Sequence, residues 1–200
     1  YRIGGPSQVE REGTGDFARH YDRAVHGEST YFTWLNRGKE SLALNLKQPE
    51  HLDVMRAVLA KADIFVQNLG FGAAARLGLG SAELTTEFPR LITMDISGYG
   101  DAGPKAELPA YDLLVQAEAG LCATSGPPGS PARVGVSIVD ITAGLNAHSA
   151  IMTALFERER TGMGKALKTS LFASASEVMA VPYLQYQVQP AAARLVACCK

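Results

Sequence analysis

Arg133-Val-Gly-Val-Ser-Ile-Val-Asp140-Ile-Thr-Ala-Gly144 is the stretch on which the fold turns. Its first half alternates apolar residues as a half-buried strand does. The alternation breaks at Asp140, after which Ile141, Leu145, Met152 and Leu155 recur at helical spacing as far as Glu157-Arg-Glu-Arg160 and Thr161-Gly162. The pattern predicts a strand running into a long helix, with Asp140 at the junction. A carboxylate there meets the unpaired N–H groups and positive dipole end of the helix, which favour its ionised form and hold its orientation. On these residues alone two roles stay open: a simple N-cap, for which Asp is among the preferred residues, or a carboxylate that does chemistry.

Outward from this junction, elements of the two periods alternate. Residues 1–30, with Gly4-Gly5-Pro6 and Gly13-Thr-Gly15-Asp16, read as loop. Tyr31-Phe-Thr-Trp-Leu35 reads as an aromatic strand, Asn36-Arg-Gly-Lys39 as a turn, and Ser41 to Leu46 as a half-buried strand. Pro49 opens a helix with Leu52, Met55, Val58 and Leu59 on one face, closing at Ala62. Strands at Ile64 to Val66, Leu91 to Ile96 and Ala166 to Leu171 are separated by helices at Ala73 to Leu77, Ser81 to Phe88 and Tyr111 to Leu121. A last helix covers Ala173 to Tyr186. This alternation predicts an α/β fold, Rossmann-like, with a largely parallel sheet flanked by helices. Ligands of such sheets bind beyond the carboxyl ends of strands, where Asn68, Ser97 to Gly100 and Asp140 lie.

Composition narrows the function classes. The chain has 200 residues, 46% hydrophobic and 20% charged, with a formal net charge of -1, enough for a core and no reason to expect nucleic acid as partner. No apolar run approaches membrane-spanning length, and none resembles a signal segment, so no membrane partner is expected. Cys122, Cys198 and Cys199 form neither a disulfide framework nor a metal spacing, and a reducing, cytoplasmic location is the default. His20, His26, His51 and His148 show no ligand or triad spacing; His148, inside the long helix, reads as a packed core residue. No metal site is expected. Tyr31 and Trp34 read as strand core or interface, since no basic patch accompanies them.

Nine short segments, in order, resemble the family III CoA transferases, the group that includes formyl-CoA:oxalate and carnitine CoA transferases and the related α-methylacyl-CoA racemases. They are Val9-Glu10-Arg11 with Gly15-Asp16; Asn36 to Lys39 with Leu44 to Lys47; Ala62-Asp63 through Asn68; Arg76 to Leu79; Pro89 to Ile92; Ser97 to Gly100; Tyr111-Asp112; Asp140 with Ala143-Gly144; and Arg160 to Gly164. The resemblance covers roughly residues 9 to 186. It implies transfer of CoA from an acyl-CoA thioester to a carboxylic acid acceptor, with coenzyme A as substrate and no permanently bound cofactor. The aspartate matching Asp140 is the family's nucleophile, forming a mixed anhydride and then an aspartyl-CoA thioester. Backbone N–H groups at the same helix start are the expected oxyanion donors. Asp112 matches an acidic position of the transferases, while Tyr111 replaces the His found there in racemases, a far weaker base at neutral pH. Arg11, Leu44, Lys47, Asn68 and Arg76, together with Tyr111, are the expected CoA contacts. Gly70-Phe71-Gly72 departs from the family's Pro-Gly at this turn.

The resemblance also sets expectations for the whole chain. Residues 31–186 form the CoA-binding and catalytic domain, residues 1–30 a loop-rich lead-in, and residues 187–200 a tail. The family's first strand and helix, its second small domain and its Gly-rich closing loop find no match, so the chain reads as a fragment of an interlaced homodimer. Phe32-Thr-Trp-Leu-Asn-Arg-Gly-Lys-Glu-Ser41 is similar to members acting on small dicarboxylates. A racemase of the same fold and an inactive CoA-binding fragment remain the alternatives.

Overall fold

The computed structural model describes residues 7–127 and 129–188. Most of the expected 187–200 tail, with Cys198 and Cys199, lies outside them. The chain divides into two compact units, Tyr1–Val58 and Leu59–Lys200.

In the first unit, β1 (Ser7–Arg11) pairs in parallel with β2 (Glu40–Leu44), Ser7 opposite Glu40 and Arg11 opposite Leu44. The expectation of loop throughout residues 1–30 is therefore corrected. Glu10, buried in β1, gathers the segment: its carboxylate accepts from the Arg19 guanidinium at 2.7 and 2.8 Å, from Ser41 Oγ at 2.7 Å and from Asp16 N at 2.9 Å. These bonds, the Arg19 bond first, lower its pKa to about 2. The aromatic run read as a strand is α1 (Thr30–Leu35). Ser29 caps it by accepting from Phe32 N, and Asp22 accepts from Thr30 N and Oγ1, so local polar bonds override the β-preference of the aromatics. Trp34 and Tyr31 are exposed. After β2, α2 (Pro49–Leu59) starts where expected and ends three residues early.

The second unit holds a three-stranded parallel sheet in the order β3 (Ile64–Gln67), β4 (Ile92–Ser97), β5 (Ala166–Ser170). Ile92, Thr93 and Met94 of the central strand are fully buried. α3 (Ala73–Arg76) and α4 (Ser81–Glu87) cross from β3 to β4. The single helix expected at Tyr111 to Leu121 is two, α5 (Asp112–Glu118) and α6 (Leu121–Ser125), because Gly120 takes a left-handed φ of 83°. Then come α7 (Ile138–Thr161), α8 (Leu171–Val178) and α9 (Ala180–Val188), the last two replacing one expected helix. α7 ends at Gly162, with φ 75°, and Gly164 passes so close to the Leu91 carbonyl that a Cβ there would lie 2.1 Å from its oxygen. The Arg158 guanidinium ties this end of α7 to Asp63 and to the Arg90 carbonyl.

Two expectations about the central stretch fail. No strand precedes α7: Val134 N donates to Gln116 Oε1, and the Val136 carbonyl accepts from Gln116 Nε2 and Ile138 N, so the backbone groups a ladder needs are taken. In α7 the buried stripe is Val139, Ala143, Ala147 and Ala154, and Ile141, Leu145, His148 and Met152 are exposed. Small residues let the helix approach the sheet, and His148 is not a core residue. By length and composition α7 also passes as a membrane-span candidate, with a mean hydropathy of 1.2, which the sequence reading overlooked. Its packing against β4 and β5 is that of a domain's central helix.

Candidate active site

The site is built where α5 meets the start of α7. Val115 of α5, Val139 of α7 and Ala175 of α8 form a buried cluster, with Ile138, Leu121, Tyr99 and Leu171 packed around it. This apolar floor brings the first turns of two helices together. Asp112 is the first residue of α5 and Asp140 the third of α7.

Asp140 is therefore not an N-cap. Ser137 holds the cap position and makes no side-chain cap bond. The bond comes from another helix: Asp112 Oδ1 accepts from Val139 N at 2.8 Å and from Asp140 N at 3.3 Å. Ile138 N and Ile141 N are satisfied by the carbonyls of Val136 and Ser137. All four first-turn N–H groups are thus occupied, so the expectation that they stand ready for an oxyanion is corrected. The second oxygen of Asp112 accepts from Gln116 Nε2 at 2.6 Å.

With its backbone N–H bound in this way, Asp140 presents its side chain to solvent. Partial desolvation by the packed helices and then the charge of Asp112 raise its carboxyl above the ordinary aspartate range. The helix N-terminus pulls the other way. A carboxylate of raised basicity, accessible on one side and fixed through its backbone, has the character of a nucleophile.

The other expected site residues fall in two places. In the second unit, Tyr111 precedes α5 and is exposed, without a cap bond; Asn68 is exposed just after β3; and Arg76, on α3, donates to the Phe71 carbonyl at 3.3 Å. Gln67 and Ser81 both donate to Asp95, and Gln67 accepts from Leu69 N, which pins the turn bearing Asn68. In the first unit, Arg11 lies over the Phe17 ring at 4.4 Å, Lys47 is exposed after β2, and Leu44 is buried with its carbonyl accepting from Glu12 N. A Leu44 contact with a ligand would therefore not come from a free side chain. Among the described residues no cluster of three or more His, Cys, Asp or Glu could hold a metal ion. The sequence reading missed Gln116. The available signal was a lone amide after Leu113-Leu114-Val115, one helical turn from Asp112.

These features define an α/β protein with two carboxylates, Asp112 and Asp140, brought together at a helix start. The sequence matches the family described as CoA-transferase family III over residues 8–195, and the chain belongs to that family. Among its relatives, acetyl-CoA:oxalate CoA-transferase of Acetobacter aceti is 41% identical over 82% of this chain and 43% of its own length. Succinyl-CoA:glutarate CoA-transferase of Mus musculus is 38% identical over 84% of this chain and 39% of its own. A solved CAIB/BAIF family protein from Brucella suis superposes with a TM-score of 0.85 at 32% identity, covering 91% of this chain and 50% of that one. The chain thus spans well under half the length of these curated relatives.

Proposed function

We propose that the full-length protein is an acyl-CoA:carboxylate CoA-transferase with Asp140 as nucleophile. The observation that carries this is the accessible Asp140 carboxylate, of raised basicity, on a helix start whose N–H groups Asp112 holds. Asp140 Oδ attacks the thioester carbonyl and expels CoA thiolate, leaving a mixed anhydride. The thiolate attacks the aspartyl carbonyl, releasing the donor acid and forming an aspartyl-CoA thioester. The acceptor carboxylate attacks that thioester, and the freed thiolate then takes the acceptor's acyl carbon and regenerates Asp140. The candidate CoA contacts are Arg11, Leu44 and Lys47 in the first unit and Asn68, Arg76 and Tyr111 in the second. The cations pair with its phosphates.

A small dicarboxylate is the proposed acceptor, supported by relatives whose names carry oxalate and glutarate. A cytoplasmic homodimer, with residues 31–186 as its CoA-binding and catalytic part, belongs to the same reading. The racemase alternative is disfavoured because Tyr111 stands where the resembling racemases carry a His.

The test is incubation of the full-length protein with an acyl-CoA donor, then borohydride or hydroxylamine and peptide mapping. Modification is expected at Asp140. Asp140→Ala retaining more than a few per cent of the exchange rate would remove it as nucleophile. Deuterium entering the α-carbon of a 2-methylacyl-CoA without any acceptor acid would favour the racemase.

A further inference from the structure

Gln116 lies on α5 one turn after Asp112, with its side chain fully buried. A buried amide costs free energy unless its groups are paired, and here they are. Oε1 accepts from Val134 N at 2.9 Å, while Nε2 donates to Asp112 Oδ2 at 2.6 Å and lies 3.4 Å from the Val136 carbonyl. Asp112 turns its other oxygen to the N–H groups of Val139 and Asp140. One chain of bonds thus runs from Gln116 through Asp112 to the first turn of α7. A second runs from Gln116 to the loop that feeds that turn. Because Ser137 makes no side-chain cap bond, this end of α7 has no local cap of its own. Packing alone does not call for glutamine here, since methionine fills nearly the same volume without polar atoms.

Resting on the reading of Asp140 as nucleophile, we propose that Gln116 is the positioning residue of the site, setting the Asp112 rotamer and the path of residues 134–136 so that Asp140 is aimed at the thioester. It touches no substrate. Its loss therefore lowers the rate of the chemical step and leaves acyl-CoA binding nearly intact.

The experiment compares full-length wild type with Gln116→Met and Gln116→Glu. Gln116→Met is expected to lower kcat about 10- to 100-fold with KM for acyl-CoA within about threefold of wild type. Amide hydrogen exchange at Val139 and Asp140 speeds up in the same variant, because Asp112 is no longer held. In Gln116→Glu the protonated carboxyl replaces the donor to Asp112, and the ionised one repels it. The acidic groups facing that carboxyl are Asp112 on its own helix and, beyond it, Asp140 on α7. Glu118 is engaged by Lys105, and Glu177 of α8 by Asn146. Gln116→Glu is therefore active only in a window, bounded below by the acid limb it shares with wild type and above by an alkaline limb that wild type lacks.

Wild-type kcat and wild-type exchange rates in Gln116→Met would overturn the proposal, as would a Gln116→Glu pH profile parallel to wild type. If Gln116→Met does not fold, the Gln116→Glu profile decides. If wild type transfers no CoA from any donor, the transferase reading falls, and exchange at Val139 and Asp140 in Gln116→Met still decides whether Gln116 holds this turn.

Discussion

Two carboxylates meet at the start of α7, and Asp112 takes the N–H groups of Val139 and Asp140. Asp140 is left with the helix dipole but with partial desolvation and, after it, a neighbouring negative charge, and its pKa rises. An acid whose folded-state pKa is raised favours folding in its protonated form, and that stability is lost as pH rises through the folded-state value. Ionised Asp140 is therefore a cost at neutral pH. Asp140→Asn is expected to abolish exchange while raising thermal stability at neutral pH by at most about 1 kcal/mol, given the solvent screening of so accessible a side chain. The two proteins should converge in melting temperature at acid pH. Equal melting temperatures at every pH would show that Asp140 is not strained by its charge. Asp112→Asn keeps an acceptor for the cap but removes the like charge, so the acid limb of kcat/KM should move to lower pH. An unmoved limb would mean that the Asp112 charge does not act on Asp140. The long helix and the place of Asp140 in its first turn were legible in the sequence, although the helix starts at Ile138 and no strand runs into it. The role of Asp112 was not, since its capping partner lies 28 positions further along the chain.

At the level of elements, two of the readings that failed share one physical cause: side-chain bonds to backbone outweighed periodicity. Gln116 takes the backbone groups of residues 134–136, so an alternating segment stays out of the sheet. Ser29 and Asp22 turn an aromatic run into α1. The apolar strands β3, β4 and β5 and the crossover helices were legible, because hydrophobic burial writes its period into the sequence. β1 was not, because its SQVER sequence is polar and its buried member is an acid. Glu10 makes the point quantitatively. Its pKa is depressed, so it contributes stability above the ordinary glutamate value, and that contribution disappears as pH falls from 4.5 through about 2. Glu10→Gln is expected to cost on the order of 2 kcal/mol at neutral pH and little at the acid end of that window. Urea titrations at several pH values measure this, and a loss independent of pH would assign the effect to shape instead of charge.

For the molecule as a whole, the second unit has two kinds of helix face. α7 sets its alanines against the sheet and leaves Ile141, Leu145, Met152 and Phe156 exposed within a narrow arc of its opposite side. On α9, Val181, Tyr183, Leu184 and Tyr186 are exposed as well. Scattered exposed apolar residues are ordinary, but a contiguous stripe of large ones along a 24-residue helix is surface that water disfavours. The chain spans 43% and 39% of the length of the relatives named above, and in the proposed homodimer a second copy would cover this face. The 200-residue chain alone is expected to self-associate, eluting from a sizing column ahead of a monomer at concentrations where its unfolding is still cooperative. Replacing Leu145 and Met152 together by glutamate should shift it toward the monomer with little change in unfolding midpoint, because neither side chain belongs to the buried stripe. A wild-type chain that elutes as a monomer, or a double variant that unfolds much more easily, would mean that this face is satisfied within the chain itself.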